Sequence, residues 1–311
     1  SVARRKQKGR HIHGIVVLDK PLGGSSNRAL QVVKRLFDAN KAGHTGSLDP
    51  LATGVLPLCL GEATKVSQFL LDSDKAYRAR IKLGERTDTA DSEGEVIAKV
   101  EGFTLDEAAV KAALRGFEGE IEQVPPMYSA LKQDGQPLYK LARQGKTVER
   151  KARAITIYSI ELTDVDAGAN EIEIEVDCSK GTYIRTIADD LGQILGCGGH
   201  IIALRRLRAG VFSIEDSVTL EALEAEKEAG GFDAIDAHLM PMDKAIDDLP
   251  AVQLPSYTAQ FLKHGQPVQV SQAPADGLVR LYEEGEFIGI GCIDDDGNVA
   301  PKRLVVASPG E

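Results

Sequence analysis

The chain has 311 residues, 42% of them hydrophobic and 27% charged, an ordinary globular composition with room for one large domain and one small one. No apolar run approaches the eighteen or so residues of a membrane span, and the N-terminus is basic and polar, without the apolar segment of a secretory leader. The net charge of −10 hides an asymmetry: residues 1–82 hold 15 Lys or Arg against 6 Asp or Glu, whereas residues 211–311 sum to −13. Such a distribution points to a polyanion-binding face in the first part of the chain.

Residues 1–10 carry five positive charges and no apolar pattern, which reads as a basic flexible tail suited to phosphate contact. Gly14–Leu18 is a β-branched run expected to form a buried strand. It ends in the turn and cap chemistry of Asp19-Lys20-Pro21 and Gly23–Asn27, before a helix over Arg28–Phe37. The Gly-rich loop Gly43–Pro57 follows. Pro57–Leu60 reads as a strand and Thr64–Leu71 as helical. Lys75–Leu83 alternates, with Tyr77, Ala79, Ile81 and Leu83 on one face and Arg78, Arg80 and Lys82 on the other. That row of cations suits either a phosphate backbone or a solvated outer face. A polar turn at Thr87–Asp91 leads to a strand over Glu95–Val100. Thr104-Leu-Asp-Glu107 is a capping box opening a helix through Leu114.

Pro125-Pro126-Met-Tyr-Ser-Ala-Leu-Lys132 is a rigid segment entering a strand, and Gln136–Gln144 is a short helix. Ala154–Val165 and Glu171–Cys178 form an antiparallel pair. Ser179–Thr186 turns into a helix that reaches Leu195 and is ended by Gly196–Gly199. His200–Phe212 is a strand region in which Arg205, Arg206 and Arg208 lie close together. Thr219–Ala229 is an acidic amphipathic helix, and residues 230–250 are a linker and domain boundary. The remainder predicts a helix over Ser256–Lys263 and strands at Leu278–Tyr282, Phe287–Ile293 and Arg303–Val306, a small β-barrel or sandwich.

Asp49 is the sole acid between Asp38 and Glu62. Asp-Pro-Leu-Ala has the pattern of a helix N-cap followed by proline at the first helical position. A carboxylate in a stiff loop also has the makings of a nucleophile. Several other chemistries are missing from the sequence. There is no P-loop, no Gly-x-Gly-x-x-Gly, no Gly-x-Ser-x-Gly elbow and no zinc-spaced set among the six histidines. The four cysteines are widely separated, as expected of reduced thiols in a cytoplasmic protein.

His44-Thr-Gly-Ser-Leu-Asp49-Pro-Leu-Ala-Thr-Gly resembles the catalytic motif of the pseudouridine synthases. Further matches are Gly14-Ile-Val-Val-Leu-Asp-Lys-Pro, Lys75-Ala-Tyr77-Arg, Arg86-Thr-Asp-Thr-Ala-Asp91, Pro126-Met-Tyr-Ser-Ala-Leu-Lys, Cys178-Ser-Lys-Gly-Thr-Tyr-Ile-Arg185 and Leu204-Arg-Arg-Leu-Arg. Together with the C-terminal module they run from about residue 11 to 307 and resemble the TruB family in particular. The resemblance implies an α+β fold: a mixed, largely antiparallel sheet with flanking helices, followed by a small RNA-binding β-barrel of the PUA type. The domains it implies are a tail over 1–10, a catalytic domain over 11–249 and a PUA-like domain over 250–311.

The resemblance also implies an isomerase that converts uridine 55 in the T-arm loop of tRNA to pseudouridine by base flipping. It implies no cofactor, no metal, no membrane and no obligatory protein partner. Asp49 is the implied nucleophile, Tyr77 the residue that stacks on the base and takes part in the isomerisation, and Arg185 the cation that keeps Asp49 ionised. His44 is implied to hold the flipped arrangement, and Tyr183, Leu204 and Lys20 to line the uridine pocket or its rim, with Asp91 as a partner of Arg185. Attack at C1′, attack at C6 and a glycal route are all open to such a carboxylate. Two other readings share some of these features: a guide-RNA-dependent synthase, and an RNA-binding protein without chemistry.

Overall fold

The structure, a computed structural model, describes residues 8–128, 132–133 and 135–306. The chain packs as two compact units. One comprises Ser1–Asp49, Leu56–Leu71 and Glu215–Glu311; the other comprises Pro50–Val55 and Asp72–Ile214.

In the first unit the β-branched run becomes the strand Gly14–Lys20, buried along nearly its whole length. It pairs in parallel with Val218–Thr219 through Leu18 and Val218. The helix Ser26–Leu36 is capped by Ser25, whose hydroxyl accepts from the amide of Arg28. Its buried face is Ala29, Leu30 and Val33, and Lys34 and Arg35 occupy the last turn, where cations suit the helix dipole.

Asp49 does not cap a helix. Pro50 and Leu51 form a turn, and the chain then enters the strand Ala52–Leu60. The run Ala-Thr-Gly-Val-Leu-Pro-Leu-Cys-Leu is buried almost throughout, and Gly54 at φ +104° and Pro57 are both poor helix residues. Pro57, which has no N–H to donate, falls between Ala52–Gly54, which pair with Leu204–Arg206, and Leu58–Leu60, which pair with Ala42–His44. In place of the single helix expected over Thr64–Leu71, a 3₁₀ turn at Gly61–Val66 leads into the shorter helix Ser67–Leu71.

The acidic helix runs beyond its predicted end, over Leu220–Asp236, with a break at Gly231 (φ +68°, ψ −154°) inside it. The predicted linker is therefore partly helical. Arg10 is also more ordered than a mobile tail residue. Its guanidinium pairs with Asp236 at 2.9 Å and lies 3.6 Å from the centroid of the Phe232 ring. Residues 1–7 of the tail lie outside the described residues.

The C-terminal module contains the helix Ser256–Lys263 and four strands. Ala251–Leu254 runs parallel to Leu278–Glu283, which pairs antiparallel with Glu286–Ile293, which pairs antiparallel with Val299–Leu304. It has its own core, built on Val252, Leu254, Leu262, Val279, Leu281 and Val299. Lys65 Nζ donates to the carbonyl of Leu304 at 2.7 Å, and the amide of Val306 donates to Glu62 at 3.0 Å.

The second unit is a largely antiparallel sheet. Its strand order is Ala52–Leu60 (through residues 52–55), Gly199–Ala209, Lys75–Leu83, Glu171–Cys178, Arg153–Asp166 and Gly119–Gln123. The contact of Ala52–Gly54 with Leu204–Arg206 is parallel and the others are antiparallel. Helix Ile184–Ile194 packs Ile184, Ile187, Ala188 and Leu191 inward and is followed by Gly196 at φ +77°. Helix Glu107–Arg115 is capped by Asp106, not Thr104: the Asp106 carboxylate accepts from the amides of Ala108 and Ala109. The expected Gln136–Gln144 helix is Leu138–Arg143. Ser129, Ala130 and Leu131 of the expected rigid segment lie outside the described residues.

The expected fold class, α+β with a mixed and largely antiparallel sheet and flanking helices, is the one observed, and the small β-barrel expected at the C-terminus is seen as one four-stranded sheet. The outer row of cations is not a bare phosphate-binding surface. Arg78 pairs with Glu175 at 2.9 Å, and Arg80 pairs with Glu171 at 2.8 Å and Asp164 at 2.9 Å. No helix among the described residues is long and apolar enough to cross a membrane.

Candidate active site

The residues singled out in the sequence divide between the two units. His44, Asp49 and Lys20 belong to the first; Tyr77, Tyr183, Arg185 and Leu204 belong to the second.

In the first unit, strand pairing of His44 with Leu58 carries the chain into the loop Thr45–Asp49. Gly46 turns it at φ +61°, Thr45 and Leu48 are buried, and Asp49 is exposed at the end. His44 is half-buried. Lys20 ends the strand Gly14–Lys20 with 1% of its surface exposed. Its ammonium donates to the carbonyl of Pro21 at 2.9 Å. Burial lowers the Lys20 pKa, and the nearby Asp49 carboxylate opposes that effect. Lys20 and Asp49 are thus close enough to feel each other's charge.

In the second unit, Tyr77 sits on the strand Lys75–Leu83, on the same face as the buried Ala79, Ile81 and Leu83. Across the sheet Tyr77 is level with Val176 on one side and Arg206 on the other. One row along, Ala79 is level with Ile174 and Leu204. Tyr77 and Leu204 therefore share a face in adjacent rows, an aromatic ring beside an aliphatic wall. Tyr77 is half-buried and Leu204 buried.

Tyr183 precedes helix Ile184–Ile194 and Arg185 is the second residue of that helix. Arg185 Nε donates to Asp91 Oδ2 at 2.7 Å. Asp91 is 5% exposed, and its other oxygen accepts from Thr89 Oγ1 at 2.7 Å and the amide of Glu93 at 3.0 Å. These donors stabilise a buried carboxylate, which in turn fixes the direction of the guanidinium. Burial raises the pKa of the Tyr128 phenol, which hydrogen-bonds Thr186 beside Arg185. Burial also pushes the Cys59 and Cys178 thiols up to about 12, so neither supplies a thiolate at neutral pH.

Three further residues, not assigned to the site from the sequence, shape these surroundings. Ser26 in the first unit holds the backbone of Leu48. Gln123, 5% exposed, accepts from the amide of Tyr183 at 2.9 Å and donates to its carbonyl at 3.3 Å. Arg206 is 2% exposed and donates from Nε to the carbonyl of Val55 at 2.7 Å. The sequence signal for Ser26 is a second serine where one suffices to cap the helix. For Arg206 it is a charge on the inward-facing alternation of its strand. Gln123 carries no such signal. Lys75, on the face of Tyr77, is 6% exposed. Burial, then the charge of Arg206, lowers its amine to about 8.

Comparison with known proteins gives matches along nearly the whole chain. Residues 34–184 match the TruB family pseudouridylate synthase N-terminal domain. Residues 185–247 match the tRNA pseudouridylate synthase B C-terminal domain, and residues 250–305 match the C-terminal region described as pseudouridine synthase II TruB. A protein of Yersinia pestis (strain Pestoides F) named tRNA pseudouridine synthase B is 56% identical, across 99% of this chain and 96% of its own. The protein of that name from Serratia proteamaculans (strain 568) is 54% identical, across 98% and 99%. Among solved structures, an H/ACA RNP bound to a substrate RNA containing 2′-deoxyuridine contains a chain that superposes with a TM-score of 0.72. That chain is 26% identical, across 94% of this chain and 85% of its own.

Proposed function

The chain belongs to the TruB family of pseudouridine synthases, and on that premise we propose that it isomerises uridine 55 in the T-arm loop of tRNA, with Asp49 as nucleophile. The observation that carries this reading is the similarity, at 54–56% identity and near full length, to proteins named tRNA pseudouridine synthase B. It is joined by the Asp49 motif, which stands intact in the sequence.

The isomerisation breaks N1–C1′ of the uridine and joins C1′ to C5; C5 gives up its hydrogen and N1 gains one. Nothing is oxidised and nothing is added, so the chemistry falls to side chains. Flipping the base costs a few kcal/mol of lost stacking. Stacking on an aromatic ring returns about 1–3 kcal/mol, and Tyr77, a half-buried residue one row from Leu204 on the same sheet face, is suited to that part. We assign Tyr77 a share in the isomerisation as well.

Asp49 is exposed in this structure, but a carboxylate that a bound base shuts off from water tends to take up a proton unless a cation favours its charged form. Arg185 is the cation we assign to that task. Its anchoring to Asp91 sets the direction in which it presents its charge. Tyr183 and Leu204 would wall the pocket. His44 would fill the space left in the base stack, and Lys20, buried near Asp49, would hold the rim.

Release of the C5 hydrogen from uridine in a T-arm hairpin tests the reading. Wild type is expected to release it from a bare hairpin, with no added protein or guide RNA, and a hairpin with cytidine at position 55 should give none. Asp49→Ala should bind the hairpin and release nothing; release equal to wild type would sink the nucleophile assignment. Need for added components would instead favour a guide-dependent enzyme. The solved structures that suggest such an assembly stand at 26–28% identity, well below the 54–56% of the tRNA-acting namesakes.

A further inference from the structure

Asp49 is exposed at the end of a short loop, yet the residue before it is held rigidly. Ser26 Oγ donates to the carbonyl of Leu48 at 2.6 Å and accepts from the amide of the same residue at 2.7 Å. A serine hydroxyl has one hydrogen to donate and two lone pairs, so one group meets both backbone needs of Leu48. Ser26 is 2% exposed and Leu48 4%, so bulk water does not compete for either bond. The Leu48 side chain is buried as well, which fixes the residue through both its backbone and its packing.

This hydroxyl has no duty to its own helix. Ser25 is the N-cap, with φ −80° and ψ 161°, and its side chain accepts from Arg28. Ser26 is the first helical residue, and that helix is rooted in the unit by Ala29, Leu30 and Val33. The bonds to Leu48 therefore transmit the position of a packed helix to the peptide that enters Asp49.

We infer that Ser26 is a positioning residue for the isomerisation, acting through the backbone of Leu48 to aim the Asp49 carboxylate. The inference rests on the reading of Asp49 as nucleophile. A nucleophile must meet one atom of the substrate, and a misplacement of about 1 Å lowers rates by around a hundredfold. Loss of the clamp should therefore act on the chemical step and leave RNA binding nearly intact, because Ser26 is 2% exposed and offers RNA almost no surface of its own.

The test compares Ser26→Ala, Ser26→Thr, Ser25→Ala and Asp49→Ala in single-turnover C5-hydrogen release, with hairpin affinity and melting temperature measured alongside. Ser26→Ala is expected to slow release roughly 10- to 100-fold with hairpin affinity within about threefold of wild type. Amide hydrogen exchange over residues 45–51 should rise in the same variant. Ser26→Thr keeps the hydroxyl and should recover the rate to within about threefold of wild type. Ser25→Ala loses the helix cap and some melting temperature but should keep its rate, which separates aiming from general destabilisation. A folded Ser26→Ala variant with wild-type release would overturn the inference, as would a Ser25→Ala variant that loses as much rate as Ser26→Ala. Turnover by Asp49→Ala would be a failure of the nucleophile reading instead, visible independently of the Ser26 variants.

Discussion

Gly54 is a position where a single methyl group should do severe damage to the strand pairing beside Leu204 and Arg206. Its φ is +104°, beyond the left-handed region that other residues visit, and a Cβ there would lie 2.2 Å from the carbonyl oxygen and 2.9 Å from the amide nitrogen of Arg206. Both contacts are with backbone, so no side chain can rotate out of the way. Ordinary contact needs about 3.5 Å, so the two strands must separate by roughly 1 Å. Positive φ costs about 1–2 kcal/mol in a residue with a side chain. Separation also strains the bond from Arg206 Nε to the Val55 carbonyl, a charged-donor bond in the class of about 1.5–3 kcal/mol. Gly54→Ala is therefore expected to destabilise by about 3–5 kcal/mol in urea unfolding. Gly102→Ala is the control. Its φ is +70° but nothing lies within 4 Å of the place its methyl would occupy, so it should cost only about 1 kcal/mol. Equal losses in the two variants would show that the close approach of Gly54 to Arg206 carries no energy, and would refute the reasoning.

Three other expectations follow from the same packing. The unfolded chain holds the Lys75 proton up to about 10.5 and the folded chain only to about 8, so between these pH values the unfolded state binds more protons and stability rises with pH. The penalty, at most about 3 kcal/mol, is fully present below pH 8; Lys75→Met should be free of it, and a stability difference between the two proteins that stays constant from pH 7 to 10.5 would contradict the assignment. Arg78→Ala should cost under about 1 kcal/mol in unfolding and leave hairpin affinity within about twofold, because its charge is already met by Glu175 on an exposed face; a tenfold loss of affinity would restore the phosphate-binding reading. Asp91→Asn should slow C5-hydrogen release by about 100-fold with hairpin binding retained, since Arg185 loses the charge that orients it, and unchanged release would remove Asp91 from the site.

Much of this protein was legible before any tertiary structure. Alternating side chains placed the strand Lys75–Leu83 and the pair containing Glu171–Cys178 at or near their observed limits, and the amphipathic pattern did the same for helix Ser256–Lys263. Period-2 and period-3.6 burial leave a direct imprint on residue order, so such elements need no long-range information. The resemblance to the family likewise rested on short blocks read in order. Three local expectations gave way. A cap at Asp49 yielded to a strand buried almost throughout, a cap at Thr104 to Asp106, and the first part of the linker expected at residues 230–250 to a helix that continues across Gly231 as far as Asp236. Capping preference is worth about 1 kcal/mol, whereas burying each large apolar side chain contributes about 1.5–3 kcal/mol, so packing decides where the two disagree.

What tertiary structure alone decided is which polar groups meet. No spacing rule links Ser26 to Leu48, Gln123 to Tyr183, Asp91 to Arg185 or Arg206 to Val55, and none links Arg78 to the carboxylate that neutralises it. These partners are 22 to 151 residues apart in the chain. The sequence carries the side chains that are able to pair, but a hydrogen bond needs its atoms within about 3 Å, and only the packed sheet and helices bring distant residues to that separation.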